Sequence, residues 1–261
     1  MEGLRLPEKT YPYSRGHRLL EISGIVGLFL LLGYVALRLV RGVATVGQGV
    51  GVIALVVIGY FVTDFISGFV HWAGDSLGSE TMPVLGAHFV KPFRFHHVDQ
   101  KDITRHDFIE TNGNNCILSV ALMLHVAILM PRTPSFFFYY GALMFSIALF
   151  TLGTNQFHKW AHADPTTVHP VVRGLQRTGL ILSPDHHETH HTAPFETYYC
   201  ITHGMLNDLL ARTQFFRRAE RLVSLVAPDF LYLDERHKFE AAKKQATTLQ
   251  ASAVASSSPA N

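Results

Sequence analysis

Cysteine is nearly absent from this chain of 261 residues: Cys116 and Cys200 stand alone, outside any CxxC pair. Two isolated thiols exclude a disulfide framework. Without a CxxCH or multi-cysteine pattern the chain has neither a haem attachment site nor an iron–sulfur cluster of its own. No GxGxxG stretch is present, so the fingerprint of a dinucleotide cofactor is missing too. Charge is sparse: Asp, Glu, Lys and Arg make up 16% of the residues and the net charge is +2. No run of Lys and Arg is dense enough to neutralise a phosphate backbone, which sets nucleic acid aside as a partner. What fills the chain instead is apolar. Hydrophobic residues reach 48%, more than a soluble domain of this size carries unless long segments lie in lipid.

The apolar residues are concentrated in runs. Residues 22–40 form a 19-residue stretch, close to the ~20 needed to cross a hydrocarbon core. A long segment precedes it and no small-x-small cleavage pattern follows, so it reads as an anchor rather than a cleaved signal peptide. A second run spans 49–72 and ends on His71 and Trp72, an aromatic residue suited to the interface. Residues 116–131 and 135–157 are a third and a fourth, joined by Pro131-Arg132-Thr133-Pro134 as a helical hairpin. The third is short for a span, and everything about a single site depends on its crossing. The expected fold is all-α: a multi-pass membrane protein of about four transmembrane helices. Residues 1–21 form an N-terminal segment, 22–240 the membrane domain and 241–261 a disordered tail of small and polar residues. Arg5, Lys9, Arg15 and Arg18 precede the first run, and Lys91, Arg94, Lys101 and Arg105 follow the second, while the loops around Arg41 and Arg132 hold little charge. The positive-inside rule then puts both termini and the 73–115 loop in the cytoplasm.

Sixteen histidines are the outlier, and fourteen of them lie between His71 and His203. Imidazole is costly to place in a membrane protein without a task. On four spans, all the histidine clusters emerge at the same face. His158 and His162 are one helical turn apart at the end of the fourth run, with Asn155 on the same face. Such an HxxxH pair taken alone is more often a packing or surface pair than a ligand pair. The stretch Ser183-Pro184-Asp185-His186-His187-Glu188-Thr189-His190-His191 is more telling. Ser183 suits an N-cap and Pro184 a first helical position, so that His187 and His191 share one face, and His186 and His190 the next. A third cluster holds His96, His97 and His106, with Asp107 and Glu110 nearby; these two, with Asn155 and Asp185, are candidates for orienting imidazole rings. His71 is either an interfacial anchor or a ligand. His17, His125, His169 and His237 read as structural or solvated.

Imidazole suits zinc, copper, iron or nickel alike. Number discriminates better: up to ten histidines exceed the three protein ligands of one catalytic zinc, which implies two metals. Two irons at a membrane interface have a use in activating O2 to remove hydrogen from an unactivated lipid carbon. A rival lies in His187-Glu188-Thr189-His190-His191, which contains the HExxH pattern of zinc proteases. That reading leaves the other clusters without a role. A non-enzymatic membrane signalling protein is the third class.

The stretches DFISGFVHWAGDSLGS, KPFRFHH, DITRHDFIETNGNNC, TNQFHKWAH and LSPDHHETHHTAPFETYYCITHGMLN resemble the plasmanylethanolamine desaturase family, also called Kua and including bacterial CarF-type proteins. The resemblance covers roughly residues 60–215. It implies an O2-dependent enzyme that converts the 1-O-alkyl chain of an ethanolamine ether phospholipid into a vinyl ether, making a plasmalogen. It also implies two histidine-ligated irons and an external electron donor of cytochrome b5 or ferredoxin type, in a bacterial inner membrane or the endoplasmic reticulum. The family's HxxxH box falls on His158 and His162 and its HxxHH box on His187, His190 and His191; its further histidines fall on His71, His96, His97, His106 and His186. Glu188 is not required by the box. Phe95 stands where the family has an acidic residue, and His88 and His203 lie outside its pattern. A related plastid family desaturates an acyl chain with a similar histidine arrangement, so an acyl-lipid desaturase is the nearest alternative.

Overall fold

Four long helices carry the apolar runs. The computed structural model describes residues 13–131 and 135–232, all helix, turn and loop apart from one isolated bridge between Leu77 and Leu231. The expected tail, the first twelve residues and the Arg132-Thr133-Pro134 part of the hairpin turn lie outside the described residues, as do Arg5, Lys9 and His237. Helix α1 spans Arg15–Gly42, α2 Val46–Ser76, α5 Phe108–Leu129 and α6 Phe136–His162, and each is long and apolar enough to cross a membrane. Between α2 and α5, a π-helical turn at Gly86–Val90 leads into α3 (Lys91–Val98), followed by the short α4 (Asp102–Arg105). After α6 come α7 (Pro170–Arg177), α8 (Pro184–Glu188), α9 (Asn207–Arg212) and α10 (Phe215–Val226).

Helices α1, α2 and α5 begin earlier than the apolar runs because their first turns extend beyond the runs and are capped. Ser14 caps α1 by accepting from the His17 N–H, and Thr45 and Gln48 form a reciprocal capping box on α2. Asp107 caps α5, its Oδ1 accepting from the Glu110 N–H at 3.0 Å. The third span is therefore 22 residues long, about 33 Å at 1.5 Å per residue, and the shortness expected of 116–131 is corrected. Its polar first turns avoid lipid by pairing with α6: Asn112 donates to Gln156 at 3.3 Å, and Asn155 donates to the Thr111 carbonyl at 2.9 Å.

Packing runs α1 on α5, α5 on α6 and α6 on α2. Helix α2 is built inside out relative to a soluble helix. Its large residues, among them Ile53, Val57, Ile66 and Phe69, are exposed, while Gly59, Thr63, Asp64, Ser67, Gly68, His71 and Gly74 are buried. Small residues let helices close up where no water drives them together. A Cβ at Gly59 would lie 2.5 Å from the Ser146 side chain, and one at Gly68 would lie 3.1 Å from the Cys200 amide nitrogen.

Alternation of direction along the four spans gathers the start of α1, the end of α2, the start of α5 and the end of α6 at one end. The remaining short helices cover that end. Trp72 anchors α10 there, donating its indole N–H to Glu220 at 2.9 Å and packing with Tyr199 and Phe216. Asp64, buried within α2, tethers the loop before α9: its two oxygens accept from the backbone N–H groups of Thr202, His203, Gly204 and Leu206 at 3.0–3.3 Å. Asn207 closes the same loop through both Cys200 backbone groups.

Candidate metal centre

Two groups of ligand atoms meet under this cover. The first is His96 of α3, His158 and His162 of α6, His187 of α8, and His191 in the turn after it, all five buried. Their Nε2 atoms converge: His96 and His162 at 2.8 Å, His158 and His187 at 2.8 Å, His158 and His162 at 3.1 Å, His187 and His191 at 3.0 Å. The second group is His71 and Asp75, one turn apart on α2, with His97 and His190. Asp75 Oδ2 lies 3.1 Å from His97 Nε2, 3.4 Å from His190 Nε2 and 3.5 Å from His71 Nε2.

The sequence doublets are what bring the groups side by side. Consecutive helical residues point about 100° apart, so His96 enters one group and His97 the other; in the turn after α8, His191 joins the first group and His190 the second. Rings of different groups lie within 5.7 Å, centre to centre, for His71 with His158, and within 5.1 Å for His97 with His191.

The donor set fits metal ions. Both oxygens of Asp75 and the Nε2 atoms of His71, His97 and His190 are buried without a hydrogen bond. Leaving them bare would cost about 1–3 kcal/mol each, and a cation at their focus removes that cost. Metal–imidazole bonds of about 2.0–2.1 Å set at right angles put neighbouring nitrogens ~3 Å apart, which is the spacing in the first group. Tautomers agree as well. His71 Nδ1 lies 3.1 Å from the Tyr199 carbonyl and His190 Nδ1 lies 2.8 Å from that of Thr197. Carbonyls accept only, so each Nδ1 carries the proton and each Nε2 turns a lone pair inward.

Burial pushes the imidazoles of His96, His187 and His191 far below their usual 6.5, and the neighbouring rings add to the effect. The unfolded chain takes up protons near pH 6.5 that the folded chain refuses, so this contribution to stability is complete above that pH and is lost as pH falls. Metal binding needs the same neutral rings. Acidification from pH 6.5 toward about 5 is therefore expected to lower the melting temperature and release metal together, followed by thermal scanning and metal analysis of the eluate. An unchanged melting temperature across that interval would contradict it.

Eight of the ten expected histidines lie in the two groups; His106 and His186 do not. His106 Nε2 faces Asp102 at 3.3 Å and Glu110 at 3.7 Å. His186 Nε2 faces the Asn207 amide at 3.1 Å rather than sharing a face with His190. Of the residues expected to orient rings, Asp107 caps α5 and pairs with Arg18 at 2.6 Å, Asn155 ties α6 to α5, and Asp185 is exposed in the first turn of α8. Asp75 escaped the sequence reading. Its signal was an i, i+4 spacing from His71, the helical spacing already seen between His158 and His162. It brings a carboxylate to the centre, where Phe95 has none to offer.

The lipid desaturase domain family matches residues 60–228, a stretch that contains every member of both groups. The chain belongs to the lipid desaturase family. Among curated relatives of this desaturase is the plasmanylethanolamine desaturase of Myxococcus xanthus, 44% identical over 212 residues, which cover 81% of this chain and 74% of the relative. Mouse plasmanylethanolamine desaturase 1 is 40% identical over 81% of this chain and 79% of its own length. The chloroplastic fatty acid desaturase 4 of Arabidopsis thaliana is 34% identical over 62% of this chain and 48% of its own. No solved structure matches. In this desaturase Glu188 is exposed and belongs to neither group, so the HExxH pattern lacks the inward-facing general base that a zinc protease needs.

Proposed function

We propose that this lipid desaturase is a plasmanylethanolamine desaturase, which oxidises the 1-O-alkyl chain of an ethanolamine ether phospholipid to a vinyl ether at a centre of two irons. The observation that carries the reading is the pair of adjacent groups, a buried one of five imidazoles and a partly buried one of three imidazoles with Asp75. Identities of 44% and 40% to enzymes of that name over most of the chain favour this substrate over an acyl lipid. The reaction consumes the alkyl lipid, O2, two electrons and two protons, and yields the vinyl ether and two waters. Two bound irons would supply the O2 activation that removes hydrogen from an unactivated carbon, chemistry beyond any side chain.

The chain's own residues do the positioning. His71 and His190 are locked by the Tyr199 and Thr197 carbonyls, so their Nε2 atoms are aimed before metal arrives. Asp75 brings negative charge to one group only, which makes the two groups electrostatically unequal. Cover from α3, α8 and the 197–206 loop keeps water from the buried rings and limits wasteful oxidation. The electrons come from an external donor of cytochrome b5 or ferredoxin type, since the chain has no redox cofactor motif. The histidine end faces the cytoplasm: Arg15, Arg18, Lys91, Arg94, Lys101 and Arg105 all lie at that end of the bundle.

The test is mass spectrometry of ether lipids from a plasmalogen-free host that has a competent electron donor and is fed alkylglycerol. Cells making the chain should contain acid-labile ethanolamine lipid two hydrogens lighter than its alkyl precursor, and cells making the His190→Ala form should contain none. Confirmed membrane expression with no such lipid would refute the substrate, and new acyl unsaturation in the same extract would identify the acyl-lipid alternative.

A further inference from the structure

Beside the second group lies a cavity of about 310 Å³ whose wall includes Asp75 and His97 themselves. Its other sides carry Lys91, Arg94 and Phe195, with Glu80 exposed at the rim. The volume is at the small end of the range for ligand sites. Apart from Asp75 on the metal side, two cations and one anion, Glu80, line a space that has an aromatic wall. Lys91 is half-buried and has no hydrogen-bond or ion-pair partner among the described residues. Arg94 is held in place by the Leu77 and Gly78 carbonyls at 3.1 and 2.9 Å and stacks on Tyr232.

Substrate chemistry requires a polar site at this place. The carbons that become the vinyl ether begin at the ether oxygen, and the phosphorus is only six covalent bonds from the first of them, roughly 7 Å at full extension. A desaturase acting mid-chain can leave its headgroup far away. One acting on this bond must seat the phosphate almost against its metals. The cavity shares Asp75 and His97 with the second group.

We propose that this cavity is the headgroup site of the phospholipid substrate, with Lys91 and Arg94 receiving the phosphate diester and Glu80 the ethanolamine ammonium. The proposal rests on the substrate reading above and deepens it. The arrangement is complementary to a zwitterion: two half-buried cations for the phosphate and an exposed anion, Glu80, for the ammonium.

Equilibrium binding to the iron-loaded full chain in detergent separates the two claims. The probes are radiolabelled 1-O-hexadecyl-2-oleoyl-glycerophosphoethanolamine, the corresponding glycerophosphate, and the neutral 1-O-hexadecyl-2-oleoylglycerol. Lys91→Met should weaken both phosphate-bearing lipids by about tenfold, the weight of one charge-assisted hydrogen bond. It should leave the neutral lipid and the iron content unchanged, and Lys91→Arg should restore binding. Glu80→Gln should weaken the ethanolamine lipid alone, by about threefold, as befits a rim charge. Equal affinity of the intact chain for phospholipid and neutral lipid, or no effect of Lys91→Met, overturns the phosphate site; a Glu80→Gln form that binds all three lipids normally overturns the ammonium contact. Desaturation is followed in the same samples. Headgroup-dependent binding without vinyl ether would refute the substrate reading while leaving the cavity a phospholipid site.

Discussion

Asp75→Asn is expected to cut vinyl ether formation by at least ~100-fold, since even residues one shell out from a metal are worth 10–100-fold. The substitution preserves size and removes charge. Asp75 Oδ2 faces three imidazole Nε2 atoms within 3.5 Å, and neither of its oxygens has a hydrogen bond. An amide oxygen is a weaker ligand than a carboxylate, and if the amide turns over, its NH2 faces lone pairs that His71 and His190 already direct inward. The second group should then lose its metal while the first, built only of imidazoles, keeps its own. Iron analysis and product formation measured on one preparation check both halves. A variant with the parent's activity and iron would mean that the carboxylate is no ligand and that the second group is not a metal site.

Asp64→Leu should have the largest effect on stability. Asp64 is fully buried and accepts four backbone N–H groups of residues 202–206. Leucine is close in size but leaves those donors bare, at about 1–3 kcal/mol each where water cannot reach them. Even a total of ~3 kcal/mol lowers the melting temperature of a chain this long by roughly 6–12 °C. The loop also continues from Thr197 and Tyr199, whose carbonyls orient His190 and His71. Metal retention should therefore fall along with stability, although Asp64 touches no ligand atom of either group. Asp64→Asn, which keeps one acceptor oxygen, should fall between. Thermal unfolding in detergent, with iron measured before heating, distinguishes this from a purely local defect: a normal melting temperature with Asp64→Leu would remove the tether from the account.

The membrane fold was legible because hydrocarbon imposes a length: the apolar runs at 22–40 and 49–72 fall inside α1 and α2, and 135–157 falls inside α6 apart from its N-cap Ser135. The start of α5 was hidden because FIETNGNN looks like loop. Its polar side chains are helical and pay their way by bonding to α6, a tertiary fact that no local pattern carries. The histidine clusters were legible as clusters, but not their division. That His96 and His97 part company follows from helical geometry, whereas which neighbour each meets depends on how α3 lies across α2 and α6. His106 and His186 show the limit of proximity in sequence. Each sits next to a cluster, yet the loop path turns one toward Asp102 and Glu110 and the other toward Asn207. Asp75 shows the converse: it joins His71, His97 and His190, yet in the sequence it is a single carboxylate one turn after a lone histidine, outside every histidine cluster. Asp64 likewise stands alone, in the middle of an apolar run that marks it as a buried charge in need of partners.

If the two adjacent groups each hold an iron, as proposed, elemental analysis of the purified full chain is the most direct test. The account predicts two irons per chain, one for each group, and no stoichiometric zinc. One zinc per chain and no iron, in protein purified from iron-replete cells, would contradict it.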